Sequence, residues 1–94
     1  MSLTRINEFQ AAPGKAEELF TFLQSLIPFI SSSPGCNGCE VLRNCEQADT
    51  FVVIERWESK AAHQASIARF PKEDMQAAMA LFGAAPRGNY YQVE

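Results

Sequence analysis

The chain has 94 residues, of which 47% are hydrophobic and 20% charged, so it is expected to fold as one domain over residues 1–94, and a disordered tail or a fibre is excluded. Eight Lys and Arg against eleven Asp and Glu leave a net charge of −3. That balance offers no basic surface for a phosphate backbone, and nucleic acid is not an expected partner.

Residues Leu3 to Ala11 mix apolar and polar side chains and run into Pro13-Gly14, which predicts a first strand and a turn. From Lys15 the residues Ala16, Leu19, Phe20, Leu23, Leu26, Ile27 and Ile30 recur at three- and four-residue spacing, the signature of a helix of about four turns. Pro28 removes a backbone donor near its end, so a kink or early stop is expected there, and Ser31 to Gly35 form a loop. A second strand is predicted from Cys39 to Asn44 and a third from Thr50 to Trp57, joined as a hairpin by Gln47-Ala48-Asp49. Near the start of the third strand Phe51 and Val53 occupy one face and Val52 and Ile54 the other, so both sheet faces require a cover.

Ser59 is suited to cap a short helix reaching Ile67. Pro71 suits the first turn of another, whose apolar side is Met75, Ala78, Met79 and Phe82 before Gly83 stops it. Gly88 to Val93 is the last predicted strand. The order β-α-β-β-α-β, with its second helical segment in two pieces, is the α+β ferredoxin-like split arrangement. Its helices cover only one face of the sheet, and a second copy on a two-fold axis is the commonest cover for the other. A homodimer is therefore expected.

The apolar stretches are interrupted by charged residues, Pro or Ser well short of the roughly 18–20 residues a membrane span needs, so neither a membrane partner nor export is expected. Cys36, Cys39 and Cys45 are an odd number and suit reduced thiols in the cytoplasm. Cys36 and Cys39 have C-x2-C spacing, yet only Cys45 follows and four zinc ligands cannot be completed, so no metal is expected. The pair opens a strand, whereas a redox C-x-x-C belongs at a helix N-terminus. No glycine-rich loop is present for a nucleotide or flavin.

His63 is the only histidine and the only side chain whose unperturbed pKa lies near neutrality. It falls about one turn into the helix after Ser59, and Trp57 ends the strand just before. Two readings remain open: the pair shares a cavity mouth, or His63 is exposed and Trp57 is a packing anchor. Asn7 lies mid-strand among apolar neighbours, and it is either a buried amide that needs a partner or a ligand or a residue that only faces solvent. Glu55 shares the face of Val53 and Trp57, so it either points inward with a raised pKa or pairs with Arg5 or Arg43. Tyr90 and Tyr91 put one phenol on each face of the last strand, and they are either core aromatics or directed one to a cavity and one to a partner.

Pro13-Gly14-Lys15, Pro34-Gly35-Cys36 and above all Phe51-Val52-Val53-Ile54-Glu55-Arg56-Trp57-Glu58-Ser59 resemble the antibiotic biosynthesis monooxygenase (ABM) family over nearly the whole chain. Ala62-His63-Gln64-Ala65-Ser66 and the Pro86 to Tyr91 ending resemble its quinol monooxygenase branch. The resemblance implies a dimeric α/β barrel with a cavity between sheet and helices. It also implies an oxygenase needing no cofactor, since an electron-rich aromatic substrate itself reacts with O2. His63, Trp57 and Asn7 are then the catalytic candidates, and Glu55, Val53, Tyr90 and Phe9 the substrate-binding ones.

Members of the family differ in their sites. The actinorhodin-pathway oxygenase shares Trp57-Glu58-Ser59 but has Tyr at His63, Asn at Val53 and a His near Leu42. The haem-degrading branch shares Asn7, but its iron-ligating helical His falls near Gln76. A haem-degrading or haem-binding relative, a small-molecule-binding dimer without catalysis, and an isomerase or lyase acting on a small carbonyl compound are the alternatives.

Overall fold

A computed structural model describes residues 3–93. Its elements are β1 (Leu3–Gln10), α1 (Ala16–Ser31), β2 (Cys36–Arg43), β3 (Thr50–Trp57), α2 (Lys60–Arg69), α3 (Lys72–Met79) and β4 (Arg87–Tyr91). The four strands form one antiparallel sheet in the order β2-β3-β1-β4. This is the ferredoxin-like arrangement expected from the sequence.

The core lies between the sheet and α1. Leu19 and Leu23, one turn apart, meet Phe51 and Val53 of β3 and Ala11, and all five are buried. The alternation of β3 decides which face is covered. Phe51, Val53, Glu55 and Trp57 are buried under the helices, whereas Val52 and Ile54 remain half-buried on the opposite face. Ile6 of β1 stands beside Ile54 there, and Leu42 and Tyr91 are exposed.

Several boundaries depart from the sequence expectation. α1 continues to Ser31, because Pro28 lacks only its own donor while its carbonyl still accepts from the Ser32 N–H at 3.1 Å. The Ser32 and Ser33 hydroxyls then donate to the Phe29 carbonyl at 3.1 and 2.9 Å and close the last turn. β2 begins at Cys36, three residues early, and ends at Arg43, where the Asn44 side chain turns the chain by accepting from the Glu46 and Gln47 N–H groups at 2.7 and 3.0 Å.

A register shift between Cys36 and Gly38 sets Cys36 beside Trp57 and Cys39 beside Glu55. The irregularity turns both thiols to the helix side, where a regular strand would have opposed them. α3 stops at Met79, which is exposed. Phe82 lies beyond it and bridges to Ala11, with the Ala12 N–H donating to the Leu81 carbonyl at 2.8 Å. β4 starts one residue early and ends at Tyr91, leaving Val93 exposed. No helix among the described residues is long and apolar enough to cross a membrane.

Candidate functional site

Three elements converge on one polar cluster. β3 supplies Glu55, only 5% exposed, and alternation directs it inward between Val53 and Trp57. β1 is paired to β3 with Arg5 beside Glu55 and Asn7 beside Val53, so both reach the same face. α2 supplies His63, only 4% exposed. The Ser59 side chain fixes that helix by accepting from the Ala62 N–H at 3.1 Å, which sets residue 63 one turn in, above Glu55.

The hydrogen bonds form a chain. The Trp57 indole N–H donates to Glu55 Oε1 at 2.8 Å, and Asn7 Nδ2 donates to Glu55 Oε2 at 3.3 Å. Arg5 Nε donates to Asn7 Oδ1 at 3.2 Å. His63 Nδ1 lies 2.7 Å from the Tyr90 hydroxyl, while Nε2 stands 3.7 Å from Glu55 Oε1, too far for a hydrogen bond. When Nδ1–H donates to Tyr90, Nε2 keeps its lone pair.

Burial pushes the Glu55 carboxyl above its ordinary range, against the opposing pull of the Trp57 hydrogen bond, the Arg5 charge and Asn7. Burial and then the Arg5 charge push His63 below 6.5. At neutral pH the imidazole is thus an unprotonated base. Burial, reinforced by Glu55, pushes Cys39 up to about 12, and Cys36 also rises, so neither thiol is a ready nucleophile. Among the described residues no group of three or more His, Cys, Asp or Glu is arranged to hold a metal ion.

Arg5, Asn7, Glu55 and His63 form the polar end of a cavity of about 490 Å³ between the sheet and the helices. The rest of its wall is mainly apolar, with Phe9 and Val53 from the sheet, Phe29 and Ile30 from α1, and Phe82. Lys72 and Met75 of α3 also line it. Its size suits a small organic molecule.

Of the seven sequence candidates, His63, Asn7, Glu55, Val53 and Phe9 line this cavity. Trp57 does not. It is fully buried, 5.4 Å from the His63 ring between centroids, and anchors Glu55 instead of forming a wall. Tyr90 stands behind His63 and touches the cavity through it. Arg43, one of two suggested partners for Glu55, pairs with Glu17 at 2.8 Å. In the sequence Arg5 stands out only as an ion-pair partner for Glu55. Its place two residues before Asn7 and four before Phe9 on one strand was the signal that it shares their face. The contributions of α1 and α3 carried no such signal, because helix-to-sheet packing decides them.

A ferredoxin-like sheet with a polar-ended cavity beneath its helices defines a small α+β protein. The chain belongs to the antibiotic biosynthesis monooxygenase family, whose model matches residues 2–81. No curated protein matches it in sequence. Among solved structures it is similar to Rv0793 from Mycobacterium tuberculosis, with TM-score 0.88 and 15% identity over 100% of this chain and 96% of the other. A variant of SnoaB from Streptomyces nogalater, described as a cofactor-independent oxygenase, has TM-score 0.83 and 19% identity over 98% of this chain and 92% of the other. PA3566 from Pseudomonas aeruginosa has TM-score 0.83 and 24% identity over 99% of this chain and 95% of the other. At these identities the likeness concerns the fold.

Proposed function

We propose that the protein is a cofactor-independent monooxygenase that oxidises a quinol or polycyclic phenol with O2. The observation that carries this reading is His63: a buried, neutral imidazole at the polar end of an apolar cavity, held by Tyr90 and facing Glu55. Family membership supports it, as does the similar fold of SnoaB, which is named as a cofactor-independent oxygenase.

The substrate hydroxyl gives its proton to His63 Nε2, and Glu55 faces the imidazolium that forms. The phenolate passes one electron to O2, giving a substrate radical and superoxide, which combine at a ring carbon. The peroxide takes back the proton, the ring C–H is lost, and the O–O bond breaks. One oxygen remains as a carbonyl and the other leaves as water, so the four electrons O2 accepts come from converting the ring C–H and the phenol C–OH together into two carbonyl groups. The apolar walls exclude bulk water from the radical pair. Haem chemistry fits these residues poorly, since Nδ1 of the only histidine is held by Tyr90 and Nε2 faces a carboxyl group.

The 94 residues act as one domain, in the cytoplasm, as a homodimer joined through the open sheet face. An oxygen electrode with a panel of quinols and hydroxylated polycyclic aromatics tests the activity. Uptake of one O2 per product without added metal, flavin or haem is expected, and no uptake with any panel member overturns it.

A further inference from the structure

Arg5 is the one permanently charged group at the polar end of the cavity, and the proposed reaction does not yet use it. Its side chain is held in three ways. Nε donates to the neutral amide of Asn7 at 3.2 Å, the guanidinium carbon lies 4.6 Å from the centre of the Tyr90 ring, and Gly88 of β4, beside Asn7 in register, leaves the space it fills. A Cβ at residue 88 would collide with both Arg5 Nη2 and Asn7 Oδ1. Among the described residues no carboxylate lies within 4.0 Å of the guanidinium. The Glu55 carboxyl stands beside it across the strands but beyond 4.0 Å. A positioned cation in a mainly apolar chamber, in direct contact only with an amide and an aromatic face, is poised for an anion from outside the chain.

The proton step creates such an anion. Moving a proton from a phenol, ordinarily near pKa 10, to an imidazole ordinarily near 6.5 is uphill by about 3.5 pK units, and an apolar cavity penalises the phenolate further. Glu55 cannot help, being of the same sign as the phenolate when ionised. Tyr90 is engaged with His63, and Lys60 lies on the Tyr90 ring, its Nζ 5.1 Å from the centre. Lys72 is the only other cationic side chain on the cavity wall, and it comes from the start of α3.

We infer that Arg5 binds and stabilises the ionised oxygen of the substrate, so that the cavity selects aromatic compounds with an acidic hydroxyl and holds them as anions. The inference rests on the hydroxyaromatic substrate proposed above. It makes Arg5 a catalytic residue beside His63, with the developing anion between two cations when the proton has moved.

The test is the ionisation of 4-nitrophenol bound to the whole protein, followed by the phenolate absorbance across pH, with 4-nitroanisole as the neutral comparison ligand. Bound 4-nitrophenol is expected to ionise about one pK unit lower than in free solution, meaning the anion binds about tenfold tighter than the neutral phenol. Arg5→Met should abolish that preference, change 4-nitroanisole affinity less than about twofold, and be partly compensated in Arg5→Lys. If Arg5→Met fails to fold by circular dichroism, Arg5→Gln, which also removes the charge, must give the same loss. An unshifted ionisation in the wild type, failure of 4-nitrophenol to bind, or transfer of the effect to Lys72→Met overturns the inference. Anion-selective binding without O2 uptake from any quinol would uphold it while removing the oxygenase reading.

Discussion

In the proposed reaction His63 is the base, and burial and the Arg5 charge keep it unprotonated at neutral pH, ready to take a proton. Removing it by His63→Ala is expected to lower kcat by about 100-fold to 10,000-fold, with substrate affinity much less affected. Because burial and Arg5 depress its pKa, the acid limb of the rate profile should lie below pH 6.5 and vanish in the variant. Glu55 shifts the other way. With a folded pKa above 4.5 the native state binds more protons than the unfolded one, so the stability this group contributes is complete below pH 4.5 and is lost as pH rises through the folded value. Urea titrations should therefore find that Glu55→Gln removes a decline seen in the wild type above pH 4.5. Trp57→Phe deletes the donor to Glu55 Oε1 deep in the core, and should cost about 1–3 kcal/mol of stability with little change in KM. Strand alternation leaves Glu55 readable as inward or ion-paired and Asn7 as buried or solvent-facing, and the Ser59 cap sets His63 one turn into its helix without deciding its exposure. Alternation cannot tell a cavity wall from a residue one layer deeper, so Trp57 stays open in the sequence between a cavity residue and a packing anchor.

Elements meet closely where α1 gives way to β2. Gly35 has φ +85°, and a Cβ there would stand 2.7 Å from the Ala62 Cβ of α2. The Glu58 N–H, just before α2, donates to the Gly35 carbonyl at 2.8 Å, so the turn is tied to the end of β3. Gly35→Ala should lower stability by roughly 1–3 kcal/mol through strain and collision together, read as a fall in Tm. Adding Ala62→Gly should restore only the part due to collision. The element order was readable from hydrophobic periodicity and from Pro and Gly punctuation. The limits of β2 and α3 were not, because Cys36 and Phe82 join their neighbours through backbone bonds to β3 and β1 that are distant in sequence.

At the scale of the molecule, the sheet is covered on one side only. Ile6, Val52, Ile54 and Leu42 share the open face, rimmed by Glu8 and Arg87, which pair with each other. Light scattering should give about twice the 10.4 kDa chain mass, and Ile54→Lys should give the single-chain mass with the fold retained. The sequence announced the need for a cover through the two apolar faces of β3, but not its position, which depends on which face α1 occupies. Along β1 and β3 the residues facing the chamber and those facing outward alternate one by one, with Arg5, Asn7 and Val53, Glu55 on one side and Ile6 and Val52, Ile54 on the other. Each strand thus encodes two messages in interleaved reading frames. A single-residue deletion inside β3 would exchange them, turning Ile54 and Arg56 toward His63 and Glu55 toward the outside, whereas the loss of two residues would preserve the frame.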